Sequence, residues 1–269
     1  MSIPIETVTT DAFSMEYFRF GAGARPLVIL PGLSVQSVMG AADAVAKAYR
    51  SLADTFTIYV FDRRRELPPV YPVRDMARDT AEAFRALRLE NVCLFGASQG
   101  GMIALVLALE HPELVGRMVL GSSSAHVKEE QFRVIEGWID LARRGDREGL
   151  YLSFGREIYP PAVFAQYREA LLAAAATVTD GELARFIILA EGIRGFNVAD
   201  RLSGIRCPVL AVGVFEDAVL DADATMEIAE RLDPRPDFRL YMYTGFGHAA
   251  FDTAPDYRER LLRFFTSQP

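Results

Sequence analysis

A serine framed by glycines at a strand–helix junction constrains this chain more than any other feature. Residues 91–101 read Asn-Val-Cys-Leu-Phe-Gly-Ala-Ser-Gln-Gly-Gly. Val92–Phe95 is a short apolar run of the kind a fully buried strand uses. Residues 102–110 read as a buried helix that stops at His111-Pro112. Between them lies Gly96-Ala97-Ser98-Gln99-Gly100, a G-x-S-x-G pattern at a strand-to-helix turn. A turn that tight excludes side chains at the glycine positions and leaves the serine at its tip, strained and exposed above a helix N-terminus. The context predicts a nucleophile elbow and not merely a serine N-cap.

Around the elbow the chain alternates strands and helices. Residues 3–9 and 14–20 predict an antiparallel hairpin at a sheet edge. Apolar runs at 27–30, 57–61 and 118–120, with helical spacing over 41–54 and 74–89, continue a strand–helix rhythm through residue 121. That rhythm belongs to a doubly wound, mostly parallel α/β sheet, here of about eight strands. It breaks over 127–200, where only amphipathic helical segments occur (128–144, 147–157, 161–176 and 180–194). Strands resume at 208–213 and 237–243, with helices at 223–232 and 258–265. The expected organisation is a core of residues 1–124 and 204–269, with a helical lid, 125–203, inserted after the sixth strand. Such an insertion would stand over the strand C-terminal ends, where open α/β sheets bind ligands.

A serine hydroxyl needs a base, and the base a third group to hold it. The chain has three histidines. His111 ends a helix and His126 opens the lid, whereas His248 follows the last strand in Thr244-Gly245-Phe246-Gly247, where a base could reach Ser98. The acid belongs between them in sequence, after the strand at 208–213. Glu216 and Asp217 both lie there; Asp217, followed by the apolar Ala218-Val219-Leu220, is preferred. The Gly-Ser-Ser-Ser loop at 121–124 offers no carboxylate. Main-chain N–H groups of Gln99, after the nucleophile, and Leu33, after Pro31-Gly32 at a strand end, are the expected oxyanion donors. This chemistry calls for neither cofactor nor metal ion.

Taken together, the Ser98 elbow, Pro31-Gly32-Leu33, Gly213 to Asp217, Gly247-His248 and the helix Asp256 to Phe265 resemble, in order, the α/β-hydrolase fold family over nearly the whole chain. Tyr71 to Asp79 also resembles the family's approach to the helix before the elbow. Within the family, the lid is similar to those of small carboxylesterases and enol-lactone hydrolases. The resemblance implies a serine hydrolase acting on an ester or lactone through an acyl-enzyme. Two other readings share the triad: a receptor-like ligand binder with little turnover, and a C–C bond hydrolase or perhydrolase. The chain departs from the family at Asp62-Arg63-Arg64-Arg65-Glu66, which lacks the glycines of the usual Asp-x-Arg-Gly-x-Gly-x-Ser loop. A reshaped loop is expected there.

The lid carries Trp138, Phe132, Phe154, Tyr159, Phe164 and Phe186. Trp138, Phe154 and Phe186 are the expected pocket residues for a small-molecule substrate with an apolar acyl or alcohol group. A formal net charge of −7 argues against a nucleic-acid partner. The apolar runs are too short to span a bilayer, and the N-terminus carries no secretory signal pattern. With Cys93 and Cys207 both in expected buried strands, free thiols and a cytoplasmic location are expected. Assembly as a homodimer is left open.

Overall fold

A computed structural model describes residues 2–267. Eight strands form one sheet in the order β1-β2-β4-β3-β5-β6-β7-β8. The edge hairpin is β1 (Ile5–Thr9) and β2 (Ser14–Phe20), and β2 pairs antiparallel with β4 (Phe56–Arg64). From there every pairing is parallel, through β3 (Arg25–Leu30), β5 (Val92–Ala97), β6 (Val115–Gly121), β7 (Val209–Val214) and β8 (Phe238–Tyr243). Parallel strands need helices on both faces, and the apolar runs read as central strands are buried throughout at β5 and β7.

The first half contributes α1 (Ala42–Ala48), α2 (Val73–Ala86) and α3 (Gln99–Glu110). Gln99 to Ala108 are all buried, so α3 lies at the centre of the fold. Four helices follow β6: α4 (Glu129–Arg143), α5 (Arg147–Ile158), α6 (Pro161–Ala175) and α7 (Asp180–Glu191). The chain closes with α8 (Asp221–Leu232), the one-turn α9 (Ala250–Thr253) and α10 (Tyr257–Thr266). One apolar layer holds α2, α3, α8 and the inner faces of α4, α5 and α7; the other lies under α1 and α10. The chain thus has the α/β-hydrolase fold. Among the described residues, no helix is long and apolar enough to cross a membrane.

One boundary differs from the sequence reading in a way that bears on the site. Asp62 to Arg64 continue β4 instead of forming a loop. Met15 of β2 pairs with Arg64, and the Arg65 N–H donates to the Ser14 carbonyl at 2.8 Å, so the antiparallel neighbour supplies ladder bonds the charged run cannot supply itself. From α7, Arg185 donates to the carbonyls of Arg63, Arg64 and Arg65 and lies 3.4 Å from the Asp62 carboxylate. The reshaped segment is a strand end clasped by a helix.

Candidate active site

Ser98 sits between β5 and α3 with φ 51° and ψ −118°, a backbone conformation that non-glycine residues rarely adopt. The packing that enforces it is visible at the flanking glycines. A Cβ on Gly96 would lie 2.4 Å from the Gly100 carbonyl oxygen, and one on Gly100 would lie 2.0 Å from that of Leu30. The turn is pinned from two further directions. The Ser98 N–H donates to the Gly121 carbonyl at 2.8 Å, and the Ser123 hydroxyl donates to the Ser98 carbonyl at 2.8 Å. Ser123 belongs to the loop that offered no acid; its part is to hold the elbow, and no local signal marks it.

His248 is buried in the loop between β8 and α9. Its Nδ1 lies 2.9 and 2.8 Å from the two oxygens of Asp217, which is buried as well. A carboxylate only accepts, so Nδ1 carries the proton and Nε2 is left with a free lone pair. Asp217 also accepts from the N–H groups of Val219 and Leu220, at 2.9 and 3.0 Å, which fixes its carboxylate. Glu216 is turned elsewhere and accepts from the Gly245 N–H at 2.8 Å, tethering the loop that leads to His248. That loop is also held from above, because the Ala249 N–H donates to the Ile158 carbonyl at the end of α5. The other histidines lie apart from this group. His111 is the C-cap of α3 and contacts Arg85, while His126 bridges to Asn197.

The loop after β3 passes over the serine, and a Cβ on Gly32 would lie 3.1 Å from the Ser98 Cβ. Among the described residues the Leu33 N–H makes no hydrogen bond, and Gln99, as first residue of α3, has no carbonyl one turn back to receive its N–H. Beneath these donors lies a charge the sequence reading did not place. The buried guanidinium of Arg63 donates to the Pro31 carbonyl at 2.8 Å and to Gln99 Oε1 at 3.1 Å. In turn, Gln99 Nε2 donates to the Leu189 carbonyl of α7 at 2.7 Å. Desolvation lowers the Arg63 pKa, and the neighbouring Asp62 opposes that.

Ser98, His248 and Leu33 line one cavity of about 840 Å³ that reaches up to α4 and α5. That volume is within the range of small-molecule sites. Trp138 and Phe154 form part of its wall, ring centroids 4.4 Å apart. Tyr151 donates to Gln36 Oε1 at 2.9 Å along the same wall. Phe186 is a correction to the sequence reading: it does not line the cavity but is fully buried in the apolar layer. Leu183, Phe186, Leu189 and Ala190 make the inward stripe of α7, and helical spacing assigns Phe186 to that stripe. Among the described residues no cluster of metal-ligating side chains occurs.

The comparisons with known proteins agree with this architecture. The α/β hydrolase fold family's sequence model matches residues 25–153. A protein of Agrobacterium fabrum named "putative carbamate hydrolase RutD" is 27% identical over 87% of this chain and 92% of its own. MGS-M2, an α/β hydrolase from a Medee basin deep-sea metagenome library, superposes with a TM-score of 0.87 at 20% identity, over 98% of both chains. The enol-lactonase of Burkholderia xenovorans LB400 superposes with a TM-score of 0.82 at 15% identity, over 97% of this chain and all of its own. Together they show that the chain has the α/β-hydrolase fold.

Proposed function

We propose that this protein is a serine hydrolase that cleaves a carboxylic ester or lactone through an acyl-enzyme on Ser98. The observation that carries the reading is the buried His248–Asp217 pair, with His248 and Ser98 on the wall of one cavity. In this reading His248 Nε2 takes the Ser98 proton as Oγ attacks the substrate carbonyl, and the N–H groups of Leu33 and Gln99 receive the oxyanion. The imidazolium returns its proton to the leaving alcohol oxygen. Water then attacks the acyl-enzyme by the same route, releasing the acid and restoring the serine. Asp217 holds the imidazole by its Nδ1 proton and stays ionised throughout. Residues 125–203 act as the lid, with Trp138 and Phe154 setting the size of the apolar group admitted. A carbamate carbonyl would meet the same groups, and the name of the Agrobacterium relative favours including one among the test substrates.

Labelling with a fluorophosphonate, followed by peptide mass analysis, tests the assignment. A single adduct on Ser98 is expected. Ser98→Ala should take no label and lose on the order of a millionfold in turnover of an activated ester. A label on another residue, or near-parental activity in Ser98→Ala, would remove Ser98 from the role. A burst of product followed by negligible turnover would favour the ligand-binding alternative.

A further inference from the structure

The cavity holds a carboxylate that the serine chemistry does not use. Asp252 stands on α9, four residues after His248, and lines the cavity. Its side chain makes no hydrogen bond and no ion pair with any described residue; only its main-chain carbonyl is engaged, by Arg258 at 3.1 Å. The side chain keeps exposed surface. Desolvation pushes its carboxyl up to about 6, against pulls from Arg258 and His248.

The surroundings narrow what such a carboxylate can meet. No lysine or arginine is among the cavity-lining residues. The one other carboxylate on the wall, Glu182, already accepts from Thr179 and Gln36. Arg258 lies over the Tyr49 ring, 5.1 Å from its centroid, and donates to the Asp252 main-chain carbonyl, making no ion pair with its carboxylate. Tyr49 and Tyr159 also line the cavity. Burial raises both phenols, and the charge of Asp252 adds to the rise, opposed at Tyr49 by Arg258. An unpaired carboxylate in a cavity that is also lined by aromatic rings, and by no lysine or arginine, is complementary to an ammonium group on an apolar body and repels an anion.

We propose that Asp252 anchors a protonated amine, so that the preferred substrate is an apolar ester or lactone bearing an ammonium group and not a carboxylate. This rests on the hydrolase reading for the words ester and lactone; the binding of the ammonium group does not.

The test separates the two by reading binding without turnover. Isothermal titration of the Ser98→Ala protein at neutral pH with benzylammonium, benzyl alcohol and benzoate compares one ring with three charges. Benzylammonium should bind at least tenfold more tightly than benzyl alcohol, and benzoate more weakly than either. Adding Asp252→Asn should bring benzylammonium to within about twofold of benzyl alcohol, whereas adding Glu182→Gln should leave the preference in place. Equal binding of the ammonium and the alcohol in Ser98→Ala would overturn the proposal, and that readout stands even if Asp252→Asn fails to fold. A preference that survives Asp252→Asn, or vanishes with Glu182→Gln, would overturn the assignment to Asp252. Inactivity toward every ester with the ammonium preference intact would count against the hydrolase reading alone.

Discussion

Arg63 and Gln99 are joined by a buried hydrogen bond of 3.1 Å, and through it the strand end at Pro31 is tied to the residue that follows Ser98. Both expected oxyanion donors, the N–H groups of Leu33 and Gln99, hang from this one guanidinium. Arg63→Met would remove the donor while keeping an unbranched side chain of similar reach. It would leave two acceptors unpaired, each at a cost of about 1–3 kcal/mol. A group that aligns donors for the oxyanion matters most in the transition state. The expected outcome is a fall in kcat of about 10- to 100-fold with KM little changed. Steady-state kinetics on an activated ester check it; a rise in KM alone would mean that Arg63 shapes the pocket instead.

Asp217→Asn should cost about ten-thousandfold in kcat, because an amide can present its N–H to His248 Nδ1 and fix the wrong tautomer. Glu216→Gln removes charge from a contact that only tethers Gly245, and the loss should stay within about tenfold. Paired rate measurements decide between the neighbours.

Trp138 packs against Phe154, is 2% exposed, and yet faces the cavity; its indole Nε1 has no hydrogen-bond partner. Trp138→Ala should therefore act on two readouts together. Stability should fall by about 3–5 kcal/mol, as for a large core deletion. The preferred acyl or alcohol chain should also lengthen, each added methylene in the new space contributing about 0.8 kcal/mol. Melting curves and a chain-length series on the same variant test both; an unchanged length profile would make Trp138 packing alone.

Asp252 carries a pH signature in the stability of the fold. Its carboxyl rises from 3.8 to about 6 on folding, chiefly by burial, while Arg258 and His248 oppose the rise. Below about pH 3 the group is protonated in folded and unfolded chains alike and contributes almost nothing. Between about 4 and 6 the unfolded chain ionises first, so the group increasingly disfavours the fold, and above about 6 the cost is complete. Asp252→Asn should raise the melting temperature at about pH 8 and leave it nearly unchanged near about pH 2.5. An equal gain at both values would point to packing and not to charge.

What could be read from the chain was what local chemistry decides. The glycines around Ser98, the apolar run before it and the helix after it interact within a dozen residues, so their spacing carried the elbow. The mostly parallel sheet also followed from the alternation of elements. Long-range pairing was not legible. Three consecutive arginines look like a solvated loop until β2 and Arg185 extend the strand through them, whereupon alternation along the strand turns Arg63 inward. Phe186 was misplaced because helical spacing reveals a stripe but not what the stripe faces. Nothing local distinguishes Asp252, whose meaning comes from a cavity assembled by residues more than two hundred positions apart.

The strand order has a consequence for the two thiols. Cys93 lies on β5 and Cys207 just before β7, with β6 between them, and both are free and buried. Two inter-strand steps separate them by about 10 Å, beyond the roughly 7 Å limit between Cα atoms of a disulfide. Burial raises both thiols, Cys207 to about 11, which disfavours the thiolate that alkylating reagents attack. An electrophile introduced to this protein therefore meets two buried, weakly nucleophilic thiols. With no disulfide between the two strands, the covalent framework is the same in oxidising and reducing surroundings.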